Sequence, residues 1–584
     1  MSLSRCDARI ARTMRRALIA ATLLAGLPCV TGQVRAATPD FGPNVSILDP
    51  SMSSDQIASV LNAASGEQQF SSNRFAILFR PGTYNVDTQL GFYESVAGAG
   101  LSPNDVVING GLRAEAPLDP GGNTDNATQV FWRSEENLTI NPTGGSTRWA
   151  VSQGCAFRRI HLKGAISLAG AKYGWASGGF IADSVFDGQV GPYSQQQWYT
   201  RNSVLNGWTN AVWNMVFSGV SGAPAQSFPN PPYTTLATTP VSREKPFLFV
   251  DSADNWNVFA PAARRNSTGP SWNNGTPAGR TLPISTFLIA RPSTSIDSIN
   301  QALGAGYNLI LTPGLYEFSK PIHVTNADTV VLGLGYATLV PQNGNAALLV
   351  DDVDGVQVAG LLVDAGPQRS PALVQIGGSA PGASHANDPS SLSDVFFRVG
   401  GATAGSATTS LLVTSNDVVM DNIWAWRADH GNGIGWNTNT ADHGLVVGGN
   451  NVTALGLAVE HYQKNQVLWQ GNNGQTLFFQ SELPYDVPSQ GAWMNGSANG
   501  YAAYAVDPSV TSHQAWGLGV YSYFNQGVAI VEDSAIAVPR NGGVQIHDAA
   551  TVLLNGSGQI THIVDDAGAT ASTSGQEETL SAYP

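Results

Sequence analysis

Short apolar runs set between polar, glycine- and asparagine-rich turns make up most of the chain. In the second half they include Ala347-Leu-Leu-Val350, Leu361-Leu-Val363, Val395-Phe-Phe397, Val418-Val-Met420, Val467-Leu-Trp469 and Thr476-Leu-Phe-Phe479. Turns such as Gly448-Gly-Asn-Asn451 and Gly471-Asn-Asn-Gly474 bound them, so the runs read as strands rather than helices. They recur irregularly, at spacings of about 20 residues or more. This pattern predicts an all-β chain coiled as a parallel β-helix, in which each coil adds short strands to stacked sheets. A β-propeller would repeat every 40–50 residues or so, and no such period is present.

The plan occurs twice. Phe75-Ala-Ile-Leu-Phe-Arg-Pro-Gly-Thr-Tyr84 is followed by Val96-Ala-Gly-Ala-Gly100, and Leu309-Ile-Leu-Thr-Pro-Gly-Leu-Tyr316 by Val331-Leu-Gly-Leu-Gly335. A helix-like stretch precedes each copy: Ser54-Asp55 would cap the one containing Ile57 and Leu61, and Ser295 to Asp297 the one containing Ile299 and Leu303. Two tandem domains of one fold are therefore expected, at 37–221 and 287–584. The Pro-, Ser- and Asn-rich stretch 222–286 is read as a linker packed between them. The small, polar tail after Ala567 is expected to fray.

The first residues read differently. Arg12, Arg15 and Arg16 precede a short apolar stretch, and Val34-Arg-Ala36 resembles a cleavage site, so 1–36 reads as a secretory signal peptide and the product as secreted. Without those residues the chain carries 22 basic and 41 acidic residues, a net charge of −19. Such a surface repels phosphate backbones, so no nucleic-acid partner is expected. No later stretch is apolar enough to span a membrane. Only 12% of residues are charged and 64 are Gly, a composition that suits short strands and turns. Cys155 is the sole cysteine beyond residue 36, so no intrachain disulfide is available and a buried core position is expected for it.

Polar and aromatic residues are densest between 424 and 525. Trp and Tyr faces suit the C–H faces of pyranose rings, while carboxylates and amides bond hydroxyls. Glu460 and Glu482 lie 22 residues apart, close to one coil. Equivalent positions on successive coils stack about 4.8 Å apart, so two carboxyl groups can share a cleft and one can stay protonated. Glu482, between Phe478-Phe479 and Leu483-Pro-Tyr485, is the better proton donor. The competing reading is that both are ordinary ladder carboxylates. Asp429-His430-Gly431 and Asp442-His443-Gly444 are equally open between sugar contacts and turns. The histidines lack a metal-ligand spacing, no serine-hydrolase elbow is present, and no metal or cofactor is expected.

Taken together, the two Pro-Gly-x-Tyr starts, the segment Thr239-Pro-Val-Ser-Arg-Glu-Lys-Pro-Phe-Leu248 and the block from Trp424 to Tyr485 resemble glycoside hydrolase family 55, the β-1,3-glucanases. The resemblance implies two right-handed parallel β-helix (pectin-lyase-like) domains packed side by side, with the active site in the cleft between them. It further implies an inverting, mainly exo-acting hydrolase of β-1,3-glucan such as laminarin. By position, Glu482 matches the general acid and Glu460 a second carboxylate that helps hold the attacking water. Gln153, Tyr173 and Ser177 match the first-domain residues that position that water. Asp429, His430, Trp436, Gln196, Trp198, Tyr485 and Trp516 are the expected substrate contacts. A monomer acting on a polysaccharide is the expected assembly. A β-helix enzyme on another polysaccharide, hydrolase or lyase, and a non-catalytic glycan-binding surface are the alternatives.

Overall fold

The computed structural model describes residues 38–119 and 121–584; the signal-like segment 1–36 lies outside the described residues. Residues 38–584 form one compact unit. Among the described residues two α-helices stand among the strands, one at the start of each copy of the plan. Helix α1, Ser54–Ala64, is capped by Ser53, one residue before the expected cap, because Ser53 and Gln56 bond each other's backbone in a capping box. Helix α2, Ile296–Gly304, is capped by Ser295. Their buried faces (Ile57, Leu61 and Ala64 in α1; Ile296, Ile299 and Leu303 in α2) cover the open ends of two apolar stacks.

Those stacks are the cores of two parallel β-helix lobes. The first lobe's main sheet runs from Val45–Leu48 through Arg133–Pro142, Ala156–Leu162, Phe180–Ala182 and Gln197–Arg201 to Tyr233–Leu236, all parallel. It therefore continues beyond the boundary expected at 221, because Tyr233–Leu236 pairs with Asn214–Ser218. The second lobe has a 12-stranded and a 10-stranded sheet facing each other across its core. One register shows its construction: Val358, Leu392, Met420, Ala454, Thr476, Ala515 and Ile546 lie side by side on successive coils of 34, 28, 34, 22, 39 and 31 residues. Unequal turns explain why no fixed period is visible in the chain.

A column of left-handed residues turns each of these coils. Gly360, Asp394, Asn422, Gly456, Phe478, Gly517 and Asp548 stack in register with φ between 52° and 72°. Gly, Asn and Asp tolerate this region at little cost, and Phe478 is the exception. The left-handed residue resets the in–out alternation. Leu361, Val395, Ile423, Leu457 and Phe479 point into the core, while Leu362, Phe396, Trp424 and Ala458 point out toward the first lobe.

The stretch 222–286 is more regular than a linker. Phe247–Val250, Trp256–Pro261 and Gly279–Pro283 form an antiparallel sheet, and Leu248 and Val258 share one apolar cluster with Leu78 of the first lobe and Leu332 of the second. The tail is ordered too. Glu577–Tyr583 pairs antiparallel with Val544–Gly556, covering the last coil's open edge, with Leu580 and Tyr583 against the core. Cys155 is buried, its thiol bonded to the Val130 carbonyl at 3.3 Å and pushed up to about 11 by burial.

Candidate active site

The two lobes meet along the outer faces of their sheets. At the centre of this seam the contact is ionic. Arg158 of the first lobe donates to both oxygens of Asp394 at 2.8–3.0 Å and to Asp421 at 2.6 Å. Arg201 donates to Asp421 at 2.6 and 2.7 Å and to Glu244 at 2.6 and 2.8 Å. Burial alone would favour the neutral acids. Instead Arg158 and Lys245 hold the Asp394 carboxyl below its usual range, and Arg201 does the same for Glu244.

Further along, the seam opens into a cavity of about 370 Å³ lined by both lobes. The second lobe supplies Glu460 and Glu482 from the ends of two successive strands, Thr453–Glu460 and Gly474–Glu482. Stacking continues past the strands, where the His461 amide donates to the Glu482 carbonyl at 2.8 Å. His461 takes a left-handed φ of 66°, which breaks the alternation and lets it line the cavity beside Glu460.

The Glu460 carboxyl accepts one hydrogen bond on each oxygen. Gln153 of the first lobe donates through Nε2 to Oε1 at 2.8 Å, and Trp424 through Nε1 to Oε2 at 2.9 Å. The Gln153 carbonyl oxygen accepts from Ser177 at 3.1 Å and from Ser152. Glu482 accepts through Oε2 from the Tyr485 hydroxyl, with His461 Nε2 at 3.7 Å. Burial raises both glutamates above the ordinary range, and the charge of Glu482 pushes Glu460 further. Among the described residues no Lys or Arg lines the cavity to reverse this. The pair is thus built to keep one proton. Glu460 carries donors on both oxygens, and Glu482 one from Tyr485.

Asp429 behaves oppositely. Burial opposes its charge, but the bond from His430 at 2.7 Å, with the neighbouring His461, holds it at about 2. His430 is itself fixed by the Gln69 amide nitrogen, 2.7 Å from Nε2. The site thus presents an anion at Asp429 and a pair of glutamates that favours holding a proton, beside the rings of Phe131, Trp175 and Trp426.

Of the residues singled out from sequence, Glu482, Glu460, Gln153, Ser177, Asp429, His430, Gln196 and Tyr485 line this cavity. Four do not. Trp198 is fully buried in the first lobe's core, because its position in Gln197–Arg201 faces inward. Trp436 lies under the Arg427 guanidinium, 5.7 Å away, against the second lobe's core. Trp516 stacks on His547 one coil away, with ring centroids 5.3 Å apart. Tyr173 sits outside the lining: its ring is 55% exposed and packs on Tyr193. Trp175, two residues on, takes the place at the wall. Sequence reading also missed His461, Phe131 and Trp426. His461 adjoins Glu460 and was passed over because alternation places neighbours on opposite faces. Phe131 carries no local signal, since only the docking of the lobes brings it to the site.

The comparisons agree with this architecture. Residues 287–482 match the LAM55 pectate lyase-like domain. The chain is 54% identical over 532 residues to an exo-β-1,3-glucanase of Streptomyces sp. (strain SirexAA-E / ActE), covering 91% of this chain and 87% of that protein. It also matches the solved structure of sacteLam55A from Streptomyces sp. SirexAA-E with a TM-score of 0.91 and 52% identity, over 94% of this chain and 99% of that one. A glutamate-to-alanine variant of sacteLam55A in complex with glucose matches with a TM-score of 0.90 and 51% identity, over 94% and 100% of the two chains. With identity of this order along nine-tenths of its length and the same fold throughout, the chain belongs to glycoside hydrolase family 55.

Proposed function

We propose that the protein is an exo-acting β-1,3-glucanase that hydrolyses with inversion, Glu482 serving as general acid. The observation that carries this reading is the pair of buried glutamates with no Lys or Arg among the described lining residues, one of them bonded across the seam by Gln153. Glu482 gives its proton to the glycosidic oxygen as the bond to the anomeric carbon breaks. Water attacks that carbon from the opposite face and passes a proton to Glu460, whose carboxylate is oriented by Gln153 and Trp424. Ser177 fixes the Gln153 amide, and with it the place of the water. Asp429 and His430 are placed to bond hydroxyls of the terminal sugar.

A neutral glucan fits better than a uronate polymer, whose carboxylates would face Glu460, Glu482 and Asp429 with no Lys or Arg among the described lining residues. The whole site lies within one compact unit of one chain, which supports action as a monomer. The basic and apolar start of the sequence supports secretion. The test is hydrolysis of laminarin followed by NMR of the fresh product. Initial α-glucose supports the mechanism; initial β-glucose removes inversion, and no release at all removes the activity.

A further inference from the structure

Arg427 ends the strand Val419–Arg427 and lies outside the lining of the catalytic cavity, 1% exposed. Every N–H of its guanidinium has a partner. Nε donates to the Asn439 carbonyl at 2.9 Å and Nη2 to the Gly435 carbonyl at 3.2 Å, which anchors the group on segment 428–440. Nη1 donates to the His461 carbonyl at 3.1 Å. The last two bonds go to the Asp486 carboxyl, from Nη1 to Oδ1 at 2.9 Å and from Nη2 to Oδ2 at 2.7 Å. Such a fork needs a guanidinium; an ammonium cannot form it. The half-buried ring of Trp436 lies 5.7 Å from the guanidinium carbon.

Both residues tied to this anchor lead to Glu482. His461 is pinned at three points: its carbonyl by Arg427, its amide by the Glu482 carbonyl at 2.8 Å, and Nδ1 by the Leu483 carbonyl at 3.1 Å. A carbonyl only accepts, so Nδ1 carries a proton, and Nε2 is left 3.7 Å from Glu482 Oε2. Asp486 directly follows Tyr485, whose hydroxyl donates to the same Oε2. The Tyr485 and His461 rings meet edge to face, with centroids 4.4 Å apart. One buried cation thus fixes both groups that flank the Glu482 carboxyl. The strand ladder does little of this holding, because the strands end at Arg427, Glu460 and Glu482 and His461 is left-handed.

We propose that Arg427 and Asp486 are positioning residues for the hydrolysis: from outside the cavity, their ion pair holds His461 and Tyr485 against the Glu482 carboxyl. The proposal rests on the reading of Glu482 as general acid. A buried ion pair is a weak source of stability, since lost hydration offsets most of its attraction. What this one adds is direction, through a planar fork that ties two chain segments to a third. Glu482 faces Glu460, Asp429, His430, His461, Tyr485 and Tyr521; of these, His461, Tyr485 and His430 favour its charged form. Loosening His461 and Tyr485 therefore raises its pKa further. The alkaline limb of kcat, where the acid loses its proton, then moves to higher pH.

Two variants test this. Asp486→Asn keeps an acceptor but loses the charge, and Arg427→Lys keeps the charge but loses the fork. Each should lower kcat on laminarin about tenfold and shift the alkaline limb upward. On a β-glucoside of a strongly acidic phenol, which departs without protonation, each should lose about threefold or less. The double variant should lose no more than the worse single one, since the two residues act as a unit. The Asp486 side chain is 28% exposed, so its variant carries the test if Arg427→Lys fails to fold. Equal losses on the two substrates with an unmoved limb overturn the proposal, as does full activity in Asp486→Asn. If the wild-type protein cleaves neither substrate, or Glu482→Gln keeps its full rate on laminarin, the reading beneath falls and takes the clasp with it. If Glu482→Gln is impaired and Asp486→Asn is not, only the clasp falls.

Discussion

Asp394 and Glu460 stand two coils apart in the same sheet of the second lobe, 2% and 4% exposed, and both face the first lobe. Their acidities move in opposite directions. What differs is the partner from the first lobe: Arg158 for Asp394 and neutral Gln153 for Glu460. A guanidinium repays the loss of hydration and keeps the carboxylate charged; an amide orients the group but leaves burial to raise its pKa. The seam therefore uses one sheet for two tasks, a charged lock at its centre and a proton-holding pair at its open end.

Breaking each side separately sharpens the contrast. The largest expected effect on rate is Glu482→Gln, which should reduce glucan hydrolysis by roughly 10²–10⁴-fold. Its melting temperature should stay at or above that of the wild type, since a neutral amide replaces a carboxyl whose charged form burial disfavours. The largest effect on stability is Arg158→Met, which leaves Asp394 and Asp421 short of a cation and should cost about 3–5 kcal/mol by denaturant unfolding. Equal melting temperatures for Arg158→Met and wild type would mean that the ionic lock holds nothing.

Gln153→Leu should fall between these in rate. It strips Glu460 of one donor without adding charge, so the pH dependence of kcat/KM should shift upward in its acid limb, because an anion with fewer donors forms at higher pH. A variant with reduced rate and an unmoved acid limb would make Gln153 a packing residue only.

The smallest effect concerns stability against pH, and its sign differs between the two regions. Glu460 and Glu482 have folded pKa values raised above the unfolded range. Their contribution is full at low pH and is lost as pH rises from the ordinary glutamate range through the folded values. Asp394 and Glu244 have lowered values, so their contribution is full above the ordinary range and is lost as pH falls through the folded values. Glu482→Gln should thus flatten the loss of stability on the alkaline side, and Asp394→Asn the loss on the acid side. Denaturant titrations across pH check both; matching changes in the two variants would contradict the contrast.

The sequence carried the fold well where physics is local. The capped helices, the Pro-Gly-x-Tyr starts and the Gly and Asn corners all act within a few residues, and each is found in place. Glu460 and Glu482 were legible because one coil separates them, so spacing along the chain maps directly onto stacking. Trp198, Trp436 and Trp516 were misplaced because an aromatic residue beside polar neighbours reads the same whether it faces core or cleft. The choice is made by the left-handed corner of each coil, and Phe478 shows that such a corner need not be Gly, Asn or Asp. Arg158, 236 residues from Asp394 and 263 from Asp421, had no signal at all. Only the meeting of two separately coiled lobes brings them together.

In the proposed mechanism Glu482 carries the proton that the leaving oxygen needs, and a change of leaving group isolates that step. A β-glucoside of a strongly acidic phenol departs without protonation, whereas a glucan does not. Glu482→Gln should therefore lose roughly 10²–10⁴-fold on laminarin while losing far less on such an aryl glucoside. Equal losses on the two substrates would contradict the assignment, because a group that only binds or positions the sugar would be missed alike by both.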